Sequence, residues 1–176
     1  DIENISKCQN LVRISFNHCQ GMTLKLCTSL SKNKLHLKKL EITGLTSMLI
    51  DLIFDQTIIT LISMWGSTLK VLHLEKLSQG IANALIIHCS NLKEFVISNS
   101  KANSFNLIYN FLQQSSLKSL HINWYRGCYE EYLNLVPNLP TTLTFLGLNT
   151  NFSELEFENF VKYCGKFLDL KTLTIK

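Results

Sequence analysis

The chain has 176 residues, 46% hydrophobic and only 17% charged, which excludes intrinsic disorder, since that requires low hydrophobicity and high net charge. Seven glycines and two prolines exclude collagen-like or linker material. The formal charge is +4, from 17 Lys+Arg against 13 Asp+Glu, yet Arg13 and Arg126 are the only arginines, so the forked donor suited to phosphate and guanine is nearly absent.

From the N-terminus onward, the pattern Leu-x-x-[Leu/Ile/Phe]-x-[Leu/Ile/Phe] recurs seven times and holds 14 of the 31 leucines of the chain. It opens at Leu11-Ile14-Phe16, then returns at Leu37-Leu40-Ile42, Leu69-Leu72-Leu74, Leu92-Phe95-Ile97, Leu117-Leu120-Ile122, Leu143-Leu146-Leu148 and Leu170-Leu173-Ile175. Successive starts lie 26, 32, 23, 25, 26 and 27 residues apart, a period that marks stacked repeats. Side chains alternate along a strand, so positions four and six of each unit face one way and positions three, five and seven the other. Each unit buries its apolar side only when the next one stacks on it.

The segments between the strands read as helices. Met48 to Trp65 predicts a long one, and Asp51, Asp55 and Gln56 inside it argue against a membrane span. Next comes a stripe of Ile81, Leu85, Ile86 and Cys89, followed by Phe105, Ile108, Tyr109 and Leu112 at helical spacing. Glu130 to Val136 is all that can be helical before Pro137 and Pro140 intervene. Ser153 with Glu156 forms a capping-box signature that opens a last helix, striped by Phe157, Phe160, Val161 and Cys164. The expected architecture is an α/β solenoid of about seven repeats. Its parallel strands lie on a concave face and its helices on a convex one, because helices are wider than strands.

The first unit reads Cys8-x-x-Leu11-x-x-Ile14-x-Phe16-x-x-Cys19, and the fourth reads Cys89-x-x-Leu92-x-x-Phe95-x-Ile97-x-x-Ser100. In these residues the chain resembles the leucine-rich repeat family, specifically its cysteine-containing subclass, with a ribonuclease-inhibitor-like fold. Two features depart from the subclass pattern: Cys164 precedes Leu170 by six residues rather than three, and the other units lack the leading cysteine. The subclass is similar to the recognition arrays of F-box proteins, the substrate receptors of cullin-type (SCF) ubiquitin ligases.

That resemblance implies a protein–protein interaction module without enzymatic activity or cofactor, which presents a protein target. A Skp-type adaptor and a cullin would be held through an F-box upstream of Asp1. The alternative is a leucine-rich-repeat scaffold or inhibitor, ribonuclease-inhibitor-like or GTPase-regulating, without a ubiquitin role. Residues 1–176 are expected to form one domain, a piece of a longer array, because the seventh unit ends inside a strand with no polar capping repeat.

The six cysteines show no C-x-x-C pair and no zinc-finger spacing. Cys8, Cys19, Cys89 and Cys164 are expected as small apolar packing residues, reduced in a cytoplasmic or nuclear protein. The densest basic stretch holds Lys25, Lys32, Lys34, Lys38 and Lys39. It lacks interleaved aromatics, so nucleic acid is not the expected partner.

The outward positions form three columns across the strands. The central column is Ser15, Glu41, His73, Val96, His121, Gly147 and Thr174. One flank is Arg13, Lys39, Val71, Glu94, Ser119, Phe145 and Thr172, and the other is Asn17, Thr43, Glu75, Ser98, Asn123, Asn149 and Lys176. The expected protein-binding patch is His73, Glu75, Glu94, His121 and Asn123, with Trp124, Tyr125 and Arg126 at its rim as residue types that anchor interfaces. His73 and His121 lie two strands apart, roughly 10 Å, with Val96 between, so they cannot share a metal. His18, His36 and His88 fall in turns or at helix ends, and no nucleophile-elbow, zincin or phosphate-loop motif occurs.

Overall fold

A computed structural model describes residues 8, 10–19, 27, 30, 35–44, 51–98, 105–123 and 129–175, with the backbone alone at 51–53 and 105. Seven short strands are present: β1 Arg13–Asn17, β2 Lys39–Thr43, β3 Val71–Leu74, β4 Glu94–Ser98, β5 Ser119–Asn123, β6 Phe145–Asn149 and β7 Thr172–Ile175. They form a single parallel sheet in which spatial order equals chain order. Five α-helices are described: α1 Asp51–Trp65, α2 Gln79–His88, α3 Phe105–Gln114, α4 Tyr129–Leu135 and α5 Glu154–Cys164.

The sheet register reproduces the alignment of the repeats residue for residue. Arg13 pairs with Lys39, Lys39 with Val71, Val71 with Glu94, Glu94 with Ser119, Ser119 with Phe145 and Phe145 with Thr172. The register follows from burial, because a slip of one residue would turn every inward side chain out. Leu40, Ile42, Leu72, Leu74, Phe95, Ile97, Leu120, Ile122 and Leu146 are fully buried. They share one core cluster with Ile58, Leu61 and Ile62 of α1, Leu85 of α2 and Ile108 and Leu112 of α3. The helices thus cover one face of the sheet, and the odd-numbered strand positions look out from the other.

A repeated turn chemistry holds consecutive units together. The carbonyls of Lys38, Lys70, Lys93, Lys118 and Thr144 each accept two amides from the next unit, at 2.8–3.1 Å. Thr68 and Thr142, equivalent in their units, each donate a hydroxyl to the preceding unit's carbonyl (Leu37 and Leu117) at 2.7 Å. The turns leaving β1 and β2 contain the only non-glycine and glycine residues with positive φ among the described residues, His18 (φ 54) and Gly44 (φ 76). The His18 ring lies where a Gly44 side chain would be, 2.5 Å from a Cβ placed there.

The helix expectations hold with instructive exceptions. Ser153 accepts the Glu156 amide while Glu156 Oε2 accepts the Ser153 amide at 2.8 Å, the full capping box. Pro137 ends α4 in a short 3-10 turn, Val136–Asn138. Only half of the α5 stripe is buried: Phe160 and Cys164 are inside, but Phe157 and Val161 are exposed, since no described helix packs on the far side of α5. Cys89 and Cys164 are buried as expected, and so is Cys27. Cys8 is exposed instead of packed, because its turn precedes β1 and no described repeat stacks against it. Cys128 and the segment 45–50, with the first turn of the predicted Met48–Trp65 helix, lie outside the described residues.

Among the described residues no helix is long and apolar enough to cross a membrane.

Candidate functional site

The face of the sheet that no described helix covers carries the three outward columns, and their register decides which side chains meet. On β1 and β2, Arg13 and Glu41 are diagonal neighbours, within reach of long side chains. Arg13 Nη2 donates to Glu41 Oε2 at 2.8 Å, and Lys39 Nζ stands 3.8 Å from the same oxygen. The other carboxylate oxygen of Glu41 faces His73 Nδ1 on β3 at 3.5 Å. His73 Nε2 meets Ser98 Oγ on β4 at 3.1 Å, and the Asn123 amide of β5 donates to that same oxygen at 3.3 Å. The result is a polar strip, Arg13–Glu41–His73–Ser98–Asn123, crossing five consecutive strands.

Glu41 anchors the strip. Its side chain is only 18% exposed, and its carboxyl is held below the ordinary carboxylate range. The Arg13 hydrogen bond is the main cause, with Lys39 and His73 adding to it and partial burial opposing it. A carboxylate at this position is therefore charged at neutral pH and fixes the ring opposite it.

A second feature lies at β5 and β6. The His121 ring rests on Phe145, with centroids 4.6 Å apart and planes tilted by 30°. Gly147 sits beside them on β6, where an added Cβ would lie 2.8 Å from His121 Nδ1 and 3.1 Å from Phe145 Cε1. The glycine is what leaves room for the ring pair.

Of the sequence-predicted patch, His73 and Asn123 are brought together through Ser98. His121 stands two strands from His73, with Val96 between them, and belongs to the Phe145 pair instead. Glu94 occupies the flank between Val71 and Ser119, outside the hydrogen-bonded strip. Glu75 follows β3 on the opposite flank, its amide donating to Ile42. Trp124, Tyr125 and Arg126 lie outside the described residues. Sequence reasoning missed Arg13, Glu41 and Ser98. The signal was present, because the aligned repeats already put Arg13 diagonal to Glu41, and cross-strand opposite charges attract.

Ser98, His73 and Glu41 stand in the order of a nucleophile, a base and an orienting carboxylate. Acyl transfer also requires preorganised donors about 3 Å from a developing oxyanion. The backbone of β4 is laddered to both β3 and β5 from Glu94 to Ile97, while Ser98 pairs with Asn123 of β5 alone. The Asn123 amide is aimed at the serine oxygen itself rather than at a space beside it. Among the described residues the strip is a hydrogen-bonded set of donors and acceptors on one face of the sheet.

The cysteines divide by burial. Desolvation pushes the Cys89 and Cys164 thiols up to about 12 and raises Cys27 as well. The chain matches no family model and no curated protein, so its function is read from sequence and geometry.

Proposed function

We propose that this chain is a protein-binding repeat array whose concave face is the uncovered face of the sheet. In detail, we read it as the substrate-recognition array of an F-box-type ubiquitin ligase component. The observation that carries the first part is the strip Arg13–Glu41–His73–Ser98–Asn123. It pre-orders donors and acceptors over five strands, which lowers the entropy a partner must overcome on docking. Strands spaced about 4.8 Å apart against helices about 8–10 Å apart bend the stack so that this face lies on the inside of the curve.

The ubiquitin reading is supported by the cysteine-containing repeat pattern of the first and fourth units. Affinity purification of the full-length protein tests it. Co-purification of a Skp-type adaptor and a cullin is expected, together with a target protein that is lost on Glu41→Lys while the adaptor is kept. A target retained without adaptor or cullin would move the chain to the scaffold or inhibitor class. Loss of neither partner on Glu41→Lys would remove the concave strip as the docking surface.

A further inference from the structure

The residue after the leading leucine of each unit forms a column of its own at the edge where the strands begin: Val12, Lys38, Lys70, Lys93, Lys118, Thr144 and Lys171. Lysine fills it on four consecutive units, those of β2 to β5, and again on the unit of β7. Lys38, Lys70, Lys118 and Lys171 are exposed, and Lys93 is half-buried with its Nζ directed at the Ser116 carbonyl at 3.4 Å. The bifurcated backbone bonds that link these positions hold the column in register. None of the five takes part in the ion pairs of Arg13, Lys39, His73 and Lys162 seen among the described residues. The acidic residues nearest in sequence are Glu94, in the neighbouring column, and Asp169, in the turn before β7.

Like charges in adjacent register repel, so such a column is unfavourable unless something offsets it. The helices run back to this rim and end there, at Trp65, His88, Gln114 and Cys164. Their C-terminal carbonyls offset part of the repulsion, but the macrodipole effect falls off within the last turn. The exposed ammonium groups reach beyond it.

We propose that this lysine rim binds an acidic segment of a partner protein, one carrying a run of aspartate or glutamate. This rests on the reading of the chain as a protein-binding array and names the chemistry of its ligand. Four lysines at about 4.8 Å spacing span roughly 14 Å, the length of about five residues of extended chain at 3.3–3.4 Å each. A short acidic run therefore matches the rim in length, and flexible lysine stems absorb the difference in pitch. Nucleic acid fits less well. The column and the residues just before it (Asn10, His36, Thr68, Asn91, Ser116, Thr142 and Asp169) hold no Phe, Trp or Tyr on which bases could stack, and no arginine fork.

The test is fluorescence anisotropy with the full chain, using a labelled deca-glutamate peptide and an oligothymidylate of equal charge. Binding of the peptide is expected, weakening as salt rises. The triple variant Lys38→Gln/Lys70→Gln/Lys118→Gln should lose about tenfold in affinity, from about two- to threefold per exposed pair. The triple Lys→Arg variant should retain binding, and Lys76→Gln, just past the far end of β3 and so at the opposite edge of the sheet, should leave it unchanged. Thermal melting of each variant separates lost binding from lost folding. No peptide binding at low salt, equal loss in the Lys76→Gln control, or oligothymidylate binding tenfold tighter than the peptide would each overturn the proposal. The assay needs no adaptor, so its failure is distinct from failure of the ubiquitin reading.

Discussion

Glu41→Gln is the sharpest probe of the polar strip, because it removes one charge while keeping the shape of the side chain. Arg13 is 60% exposed on its side chain and Glu41 18%, so the pair sits near the surface and contributes about 0.5–1 kcal/mol after screening. Unfolding entropies of about 2.1 cal/mol/K per residue over this length convert that loss to a fall of roughly 1–3 °C in melting temperature.

The pH dependence is the stronger signature. Glu41 has a folded pKa below its unfolded one, so the unfolded state binds the proton more tightly. Its contribution is fully present above the unfolded value, about 4.3 for glutamate, and is lost as pH falls through the depressed folded value. Melting curves of both proteins between pH 7 and pH 2.5 should show a gap that is constant at neutral pH and closes on acidification. An Arg13→Ala/Glu41→Ala double-mutant cycle should give a coupling of about 0.5 kcal/mol or more at pH 7 and none at pH 2.5. A gap that persists unchanged at pH 2.5, or zero coupling at pH 7, would refute the strip as an electrostatic unit.

Three further outcomes follow from the packing. Leu120→Ala, fully buried on β5, should cost about 3–5 kcal/mol in urea unfolding, whereas Leu173→Ala on the partly exposed β7 should cost about 1–2 kcal/mol; equal losses would contradict the stacked-core description. In native protein at pH 8, Cys8 should react with a maleimide while Cys89 and Cys164, with thiols near 12, react only on unfolding, their thiolate fraction being about one in ten thousand; mass mapping of the adducts decides it. Gly147→Ala should displace the His121 ring from Phe145, shifting the imidazole proton resonances downfield by removal of the ring current, while changing stability by less than about 1 kcal/mol; unmoved resonances would contradict the stacked pair.

Much of this molecule follows from period alone. The spacing of leucines sets the number of strands and their parallel order. It also sets their register, since Ile14, Leu40, Leu72, Phe95, Leu120 and Leu146 can all be buried in only one alignment. Local chemistry was equally legible where a single short-range interaction decides it, as in the Ser153–Glu156 capping box and the stop imposed by Pro137. What only the tertiary structure decided were the choices that depend on neighbours beyond the unit. Phe157 and Val161 carry the same helical spacing as Phe160 and Cys164, yet stay exposed because one flank of α5 meets no described helix. Cys8 fits the motif and still faces solvent for the same reason. The candidate site shows the division most clearly. The columns placed His73 and Asn123 on one face, but the position of rotatable side chains determined that Ser98 joins them and that Glu41, tied to Arg13, is their anchor. A repeat pattern specifies backbone register because burial is worth several kcal/mol per strand. Side-chain partners on an open face differ by about 1 kcal/mol or less, and only the assembled neighbours settle them.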